Sequence, residues 1–163
     1  MTRARSITLA LYAAAAVAYV LDRVTKLWVE AALAGRAPIE IVPGVLSFNY
    51  TTNSGGAFGL GRSAPWVFAG ATVLVSVVIV FVSFRLDRRP LALALGLILG
   101  GALGNLTDRI LNGPGLSGSV VDFIDLQVWP VFNLADASIV VGAILLAMST
   151  ARREGPEGMA EEA

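Results

Sequence analysis

The chain has 163 residues, is 56% hydrophobic and 15% charged, and carries no net formal charge. Soluble domains hold about 45–50% apolar residues, and here the excess is gathered in blocks, which argues against an ordinary soluble fold. There is no histidine and no cysteine, so disulfides, imidazole and thiolate nucleophiles and the usual transition-metal sites are closed, and any chemistry points first to carboxylates, helped by the single lysine, Lys26.

Four apolar blocks have the length of about 20 residues that a helix needs to cross about 30 Å of hydrocarbon. The first runs from Ile7 to Leu33, behind Arg3 and Arg5. Its start imitates a secretory signal with Ala16-Val17-Ala18 as a cleavage site, but the apolar pattern continues through Val20, Leu21, Val24 and Leu27. A retained first span is therefore expected. The segment 34–64 then carries β-formers, Ile39, Ile41, Val45, Leu46, Phe48 and Tyr50, and ends in Thr51-Thr52-Asn53-Ser54-Gly55-Gly56. It is the only stretch expected to have strand character, as a small sheet resting on the membrane surface.

The second block runs from Pro65 to Phe84 and the third from Leu91 to Leu111, joined by a loop holding Arg85, Arg88 and Arg89. The segment 112–130 has no Lys or Arg; Asn112–Gly118 is glycine-rich and expected to be mobile, and Val120–Ile124 is an apolar island around Asp122. The fourth block spans Val131 to Ala151, and an acidic tail, Arg152–Ala163, is expected to be disordered. A soluble bundle would show a charged face on each helix, and these blocks show none. The expected fold is thus an all-α membrane protein of one domain, 1–163, with four transmembrane helices and a β-rich extracytoplasmic cradle. The arginines place both termini and the Arg85–Pro90 loop in the cytoplasm and the two longer loops outside.

Ionisable groups in a span are costly and usually face the bundle interior. Asp22 and Lys26 are four apart on one helix face. They form either a self-neutralising pair near the interface or one wall of a site. In the third span Gly96, Gly100 and Gly104 make a smooth stripe that continues to Asp108, while Gly101, Asn105 and Arg109 follow the neighbouring row. A helix end needs less than Asn, Asp and Arg within five residues, so a site is favoured there over a mutually neutralised pair. Asn133 and Asp136 share a face at the start of the fourth span, where Asn133 could serve as an N-cap. Asp122 is either a turn residue beside Asp125 or a carboxylate aimed by its apolar flanks. Should Asp122 and Asp136 meet, one could ionise while the other kept its proton, and the pair could activate water against a peptide bond.

Five ordered blocks carry a resemblance: Asp22-Arg-Val-Thr-Lys26, Asn53-Ser-Gly-Gly-Ala-Phe58, Gly100-Gly-Ala-Leu-Gly-Asn-Leu-Thr-Asp-Arg109, Val120-Val-Asp-Phe123 and Phe132-Asn-Leu-Ala-Asp136. Together they resemble the bacterial lipoprotein signal peptidases, signal peptidase II. The departure at Gly56, where alanine is frequent, puts little in doubt. The resemblance implies that Asp122 and Asp136 are the catalytic pair, and that Asp22, Lys26, Asn53, Asn105, Asp108, Arg109 and Asn133 support it. It also implies cleavage of prolipoproteins before a diacylglyceryl-modified cysteine, with no metal and no cofactor. The expected setting is the bacterial inner membrane, with the site near the outer leaflet. The expected partners are the prolipoprotein and membrane lipid, with no nucleic acid, for a monomeric enzyme. Gly55 and Gly56 would let a substrate backbone approach closely, and Phe58 or Trp129 would line the lipid side or serve as interfacial anchors.

Three rivals remain at this point. A proton-coupled transporter should have polar groups at several depths, but here they cluster at one end of the spans. A Ser–Lys hydrolase using Lys26 lacks an obvious serine beyond Ser54. A purely structural membrane subunit would not need Asp136.

Overall fold

The computed structural model describes residues 3–55 and 65–151. Gly56, Phe58, Arg62 and the tail from Arg152 onward lie outside the described residues. Helix α1 is Arg3–Leu33, followed by strands β1 (Ile39–Val42) and β2 (Leu46–Asn53). Helices α2 (Pro65–Ser83) and α3 (Arg89–Leu111) come next, then strand β3 (Val120–Asp125) and helix α4 (Leu134–Ala151).

Helices α1, α2 and α3 are long and apolar enough to cross a membrane, and α4 is a shorter apolar helix. The fourth block yields less helix than its apolar length suggests because Val131–Asn133 stays outside, pinned to β3: Phe132 accepts hydrogen bonds from Phe123 N at 3.0 Å and Ile124 N at 2.8 Å. Large apolar side chains such as Val24, Leu27, Phe81, Phe84 and Ile144 point outward. That is the inside-out distribution of a chain solvated by lipid rather than water.

Helix α3 is the hub, packing along α1 on one side and α4 on the other, and more lightly on α2. Its glycines make this possible. Gly96 and Gly100 lie against the backbone carbonyls of Leu11 and Ala15 on α1, and Gly101 lies against that of Ala135 on α4. The two rows expected from spacing alone therefore face two different helices. Apolar contacts among Ile7, Leu11, Ile79, Leu86 and Leu99 fill the end of the bundle nearer the chain start.

The strands form one antiparallel sheet in the order β1-β2-β3. Pro43 and Gly44 turn β1 into β2, with Gly44 at φ +71° and Val45 N bonded to Val42 O at 3.0 Å. One expectation needs correction: strand character is not confined to the segment before Asn53. Val120–Asp125 is itself a strand, pairing Thr51 with Asp122 and Asn53 with Val120. Its run of Val-Val-Asp-Phe is buried on both faces, so it lacks the alternation that marks a half-exposed strand. The sheet packs on the end of α1 through Val29, Leu33, Phe48 and Phe123, with Phe48 edge-on to both Trp28 and Phe123.

Candidate active site

Four elements converge at the sheet end of the bundle, and each supplies polar side chains for a local reason. Asn133 ends the connection from β3 and caps α4: its Oδ1 accepts from Asp136 N at 2.9 Å, and Asp136 Oδ2 reaches back to Asn133 N at 3.4 Å. This is a reciprocal cap, with aspartate in the place usually held by glutamate or glutamine. Asp22 on α1 satisfies the next donor of the same turn, accepting from Ala135 N at 2.9 Å. Two carboxylates thus stand at the positive end of α4.

Beside them is a quartet of charges, three of them buried (Asp22, Lys26 and Asp108) and the fourth, Arg23, partly exposed. Lys26, 1% exposed, stands 2.9 Å from Asp22 Oδ2 and 2.9 Å from Asp108 Oδ2. Asp108 is paired on its other oxygen with Arg23 and also accepts from Val121 N at 3.1 Å. The signs balance, as burial requires. Asp108 and Arg109 therefore do not neutralise each other. Arg109 turns instead to the loops, donating to Gly55 O at 2.8 Å, Gly118 O at 3.3 Å and Ser54 O at 3.4 Å. It fastens the end of the β2 loop to the loop before β3.

The asparagines connect this scaffold to the two aspartates. Asn105 donates from Nδ2 to Asp136 Oδ1 at 2.8 Å, and Asn133 donates to Asp122 Oδ1 at 2.6 Å. Asn53, diagonal to Asp122 across the β2–β3 ladder, donates to Asp122 Oδ2 at 3.2 Å. None of these amide orientations is arbitrary. Asn53 Oδ1 is taken by Gly55 N at 3.0 Å, Asn105 Oδ1 by Lys26 Nζ at 2.8 Å, and Asn133 Oδ1 by Asp136 N. Each partner is a donor only, so each amide must turn its NH₂ to a carboxylate.

Asp122 and Asp136 line one cleft of about 500 Å³ together with Asn53, Gly55, Asn105 and Arg109. Apart from Thr72, its remaining walls are apolar, from Phe68, Ala71 and Val75 on α2 to Ile139 and Val140 on α4, with Trp129 and Phe132 at the sheet end. Burial pushes the Asp122 carboxyl up to about 7; the nearby charge of Asp136 adds to the rise, and the hydrogen bonds from Asn53 and Asn133 oppose it. Such a pair can hold one proton between two carboxylates at neutral pH. Among the described residues no group of side chains has the makings of a metal site.

All ten residues singled out from sequence lie in this assembly, eight by their side chains' bonds to one another. Gly55 takes part through its backbone: its N–H and its carbonyl are engaged by Asn53 and Arg109, so it shapes the cleft wall. Arg109 likewise spends its guanidinium on loop carbonyls. Arg23 joins the assembly without having been expected from sequence, although it lies three residues before Lys26, a spacing that puts both on one helix face.

A family profile described as Signal peptidase (SPase) II matches residues 14–152. The chain belongs to the signal peptidase II family. Curated relatives agree. It is 45% identical to a lipoprotein signal peptidase of Streptomyces coelicolor over 96% of this chain and 78% of the relative. Another, from Syntrophomonas wolfei, is 47% identical over 78% of this chain and 83% of its own length. Two solved structures of a bacterial membrane enzyme, both obtained by the in meso method, share the fold. One has a TM-score of 0.76 at 27% identity, covering 89% of each chain; the other has 0.72 at 28% identity, covering 86% of this chain and 91% of its own. Membership in the signal peptidase II family makes this chain an aspartic peptidase carried on several apolar helices. The transporter, Ser–Lys and structural-subunit alternatives fall with that assignment.

Proposed function

We propose that the signal-peptide removal which this family performs on prolipoproteins is carried out here by Asp122 and Asp136, acting on the bond before a diacylglyceryl-modified cysteine. The observation that carries the reading is that the two carboxylates face one cleft, each held by asparagine amides whose orientation is fixed from behind. The pair holds one proton. Its ionised member takes a proton from water as the water oxygen bonds to the scissile carbonyl carbon. Its protonated member donates to the carbonyl oxygen. Collapse of the tetrahedral intermediate returns that proton to the pair, breaks the C–N bond, and passes the proton taken from water to the leaving amine. The titration belongs to the pair rather than to either aspartate.

The apolar walls supply the lipid part of the reading. Helix α2 packs on α3 rather than along α4, and Phe68, Val75, Ile139 and Val140 line the space between α2 and α4. Acyl chains there would hold the modified cysteine beside the carboxylates, each buried CH₂ contributing about 0.8 kcal/mol. Trp129 stands at the rim, where an aromatic ring suits the boundary of lipid and water.

The same reading makes the chain one integral membrane domain of the bacterial inner membrane, active as a monomer. Both termini and Arg85–Arg89 face the cytoplasm, and the sheet and aspartates lie near the outer leaflet. The absence of native cysteine makes the orientation simple to test. A cysteine at Ser117 should react with an impermeant thiol reagent added to intact cells, and one at Arg88 should not.

The activity test compares a lipidated and an unlipidated precursor with purified enzyme, reading product masses. Cleavage immediately before the lipidated cysteine, and poor turnover without the lipid, is the expected result. Equal turnover of both would remove the lipid groove from the account.

A further inference from the structure

A second groove lies on the other flank of α2, between α1 and α2, and plays no part in the chemistry above. Tyr12, Ala16 and Tyr19 form its α1 wall, Val77 and Phe81 its α2 wall, and Leu99 of α3 its floor, around a volume of about 510 Å³. Helices α1 and α2 do not pack along each other. They are joined at one end, where Thr8 Oγ1 donates to Ser83 O at 3.3 Å and the Tyr12 and Ser83 hydroxyls share a hydrogen bond of 3.1 Å. From that knot the groove runs toward Tyr19 for about 10 Å, two turns of helix. An apolar channel open to the bilayer and left empty would forfeit contacts along its whole lining. Hydrocarbon is the filling that restores them.

The knot also fixes what lies at the mouth. Arg5 is one turn before Thr8, Arg85 is two residues beyond Ser83, and Arg88 and Arg89 follow; all four are exposed, with Asp87 as the carboxylate among them. Among the described residues, none of these guanidinium groups is held in an ion pair. A groove for an acyl chain thus ends beside a cluster of uncommitted cations, which the orientation proposed above puts at the cytoplasmic headgroup layer. Basic pockets between membrane helices recognise anionic headgroups in this way.

We propose that the α1–α2 groove binds one anionic phospholipid, an acyl chain lying between Tyr12–Tyr19 and Val77–Phe81 and the phosphate held by Arg5 and Arg85. The site is distinct from the aspartate cleft, which uses the opposite flank of α2, and does not depend on the catalytic reading.

The full chain would be reconstituted in nanodiscs with equal amounts of phosphatidylglycerol and phosphatidylcholine, released into detergent, and examined by native mass spectrometry. The expected result is one retained phosphatidylglycerol, in preference to phosphatidylcholine. Arg5→Gln and Arg85→Gln should each reduce that preference about fivefold. Ala16→Trp, which fills the channel and leaves every arginine in place, should abolish retention of either lipid. Val77→Trp, which fills it from the other wall, repeats the test should Ala16→Trp not fold. Equal retention of the two lipids by the unaltered chain would overturn the proposal, and so would an undiminished preference in the arginine variants. Unchanged phosphatidylglycerol retention by a folded groove-filled variant would also overturn it, reducing the arginines to a nonspecific basic surface.

Discussion

Lys26 Nζ donates to Asn105 Oδ1 at 2.8 Å, and with Asn133 Nδ2, which reaches the same oxygen at 3.2 Å, it decides which side of the Asn105 amide meets Asp136. An ammonium has donors and no acceptor. Asn105 must therefore turn its oxygen to Lys26 and its NH₂ to the carboxylate. Lys26 in turn is placed by Asp22 and Asp108, and Asp108 by Arg23. The orientation of one amide beside the cleft rests on a charge arrangement that never enters the cleft.

Replacing Lys26 by methionine keeps the side-chain length and removes this instruction. Asn105 is then oriented only by the longer contact from Asn133 Nδ2 to its Oδ1 at 3.2 Å, and kcat is expected to fall about 10–100-fold, as when an outer-shell orienting partner is lost. The loss should be smaller than that caused by changing either aspartate. Asp22 and Asp108 would also be left with one cation fewer, which costs about 3–5 kcal/mol when a buried pair is broken. Turnover of a lipidated precursor and thermal unfolding in detergent measure the two effects separately. Complete loss of turnover with unchanged unfolding would point to chemistry at Lys26 itself.

Asp122→Asn and Asp136→Asn test the pair directly. Each removes one proton-transfer group and keeps the shape, but turns one of two accepting oxygens into an NH₂ and so gives up one of the two hydrogen bonds the carboxylate accepts. Turnover should drop by about 10²–10⁴-fold or more. The double variant should be about as active as the weaker single variant, because the two groups act as one unit and the second loss adds little. Substantial cleavage by the double variant, with correct product mass, would end the two-carboxylate mechanism.

The pH dependence follows from the surroundings of Asp122. Burial, then the charge of Asp136, hold its carboxyl up to about 7. Cleavage that needs the shared proton should therefore decline as pH rises through about 7. Asn53 and Asn133 favour the ionised form, so Asn53→Ala should move this decline to higher pH. Removing the neighbouring charge by Asp136→Asn should lower the Asp122 titration, followed by its carboxyl stretch in the infrared. The stability sign is also fixed. A carboxyl raised in the folded state contributes fully below its unfolded value of about 3.9, and the contribution is lost as pH rises through about 7. An alkaline limb that Asn53→Ala moves downward would contradict this assignment of causes.

Much of this arrangement is legible in the amino-acid sequence. Uninterrupted apolar blocks mark bilayer-crossing helices because nothing else tolerates them. Carboxylates within such blocks must find interior partners, which is why Asp22, Asp108 and Asp136 stood out. The glycine rows of α3 were legible as surfaces of close approach, but not which helix each row meets; that depends on how α1 and α4 are arranged around it. Strand β3 was hidden by double burial, which erases the alternation that pattern reading relies on. The sequence therefore leaves Asp122 between a turn residue and a carboxylate aimed by its apolar flanks, and only the β2–β3 ladder shows how Asn53 reaches it. Arg23 was hidden in another way: its spacing to Lys26 was visible, but its partner, Asp108, lies 85 positions away in sequence.

The glycines of α3 provide a test that involves no polar group. A Cβ at Gly100 would meet the carbonyl and Cα of Ala15 and the side chain of Ala18 on α1, whereas one at Gly70 on α2 would meet nothing within 4 Å. Backbone cannot give way as a flexible side chain can, so Gly100→Ala must push α1 from α3. Overpacking of this kind costs about 1–3 kcal/mol. The cost should also reach the site, because Asp22 is carried on α1 and must stay 2.9 Å from Ala135 N to hold the first turn of α4. Lower thermal stability and lower kcat are both expected for Gly100→Ala. Gly70→Ala should leave turnover unchanged and, as alanine replaces glycine within a helix, should stabilise the protein slightly. Equal behaviour of the two variants in unfolding and turnover would show that close packing of α1 on α3 does not hold the site in place.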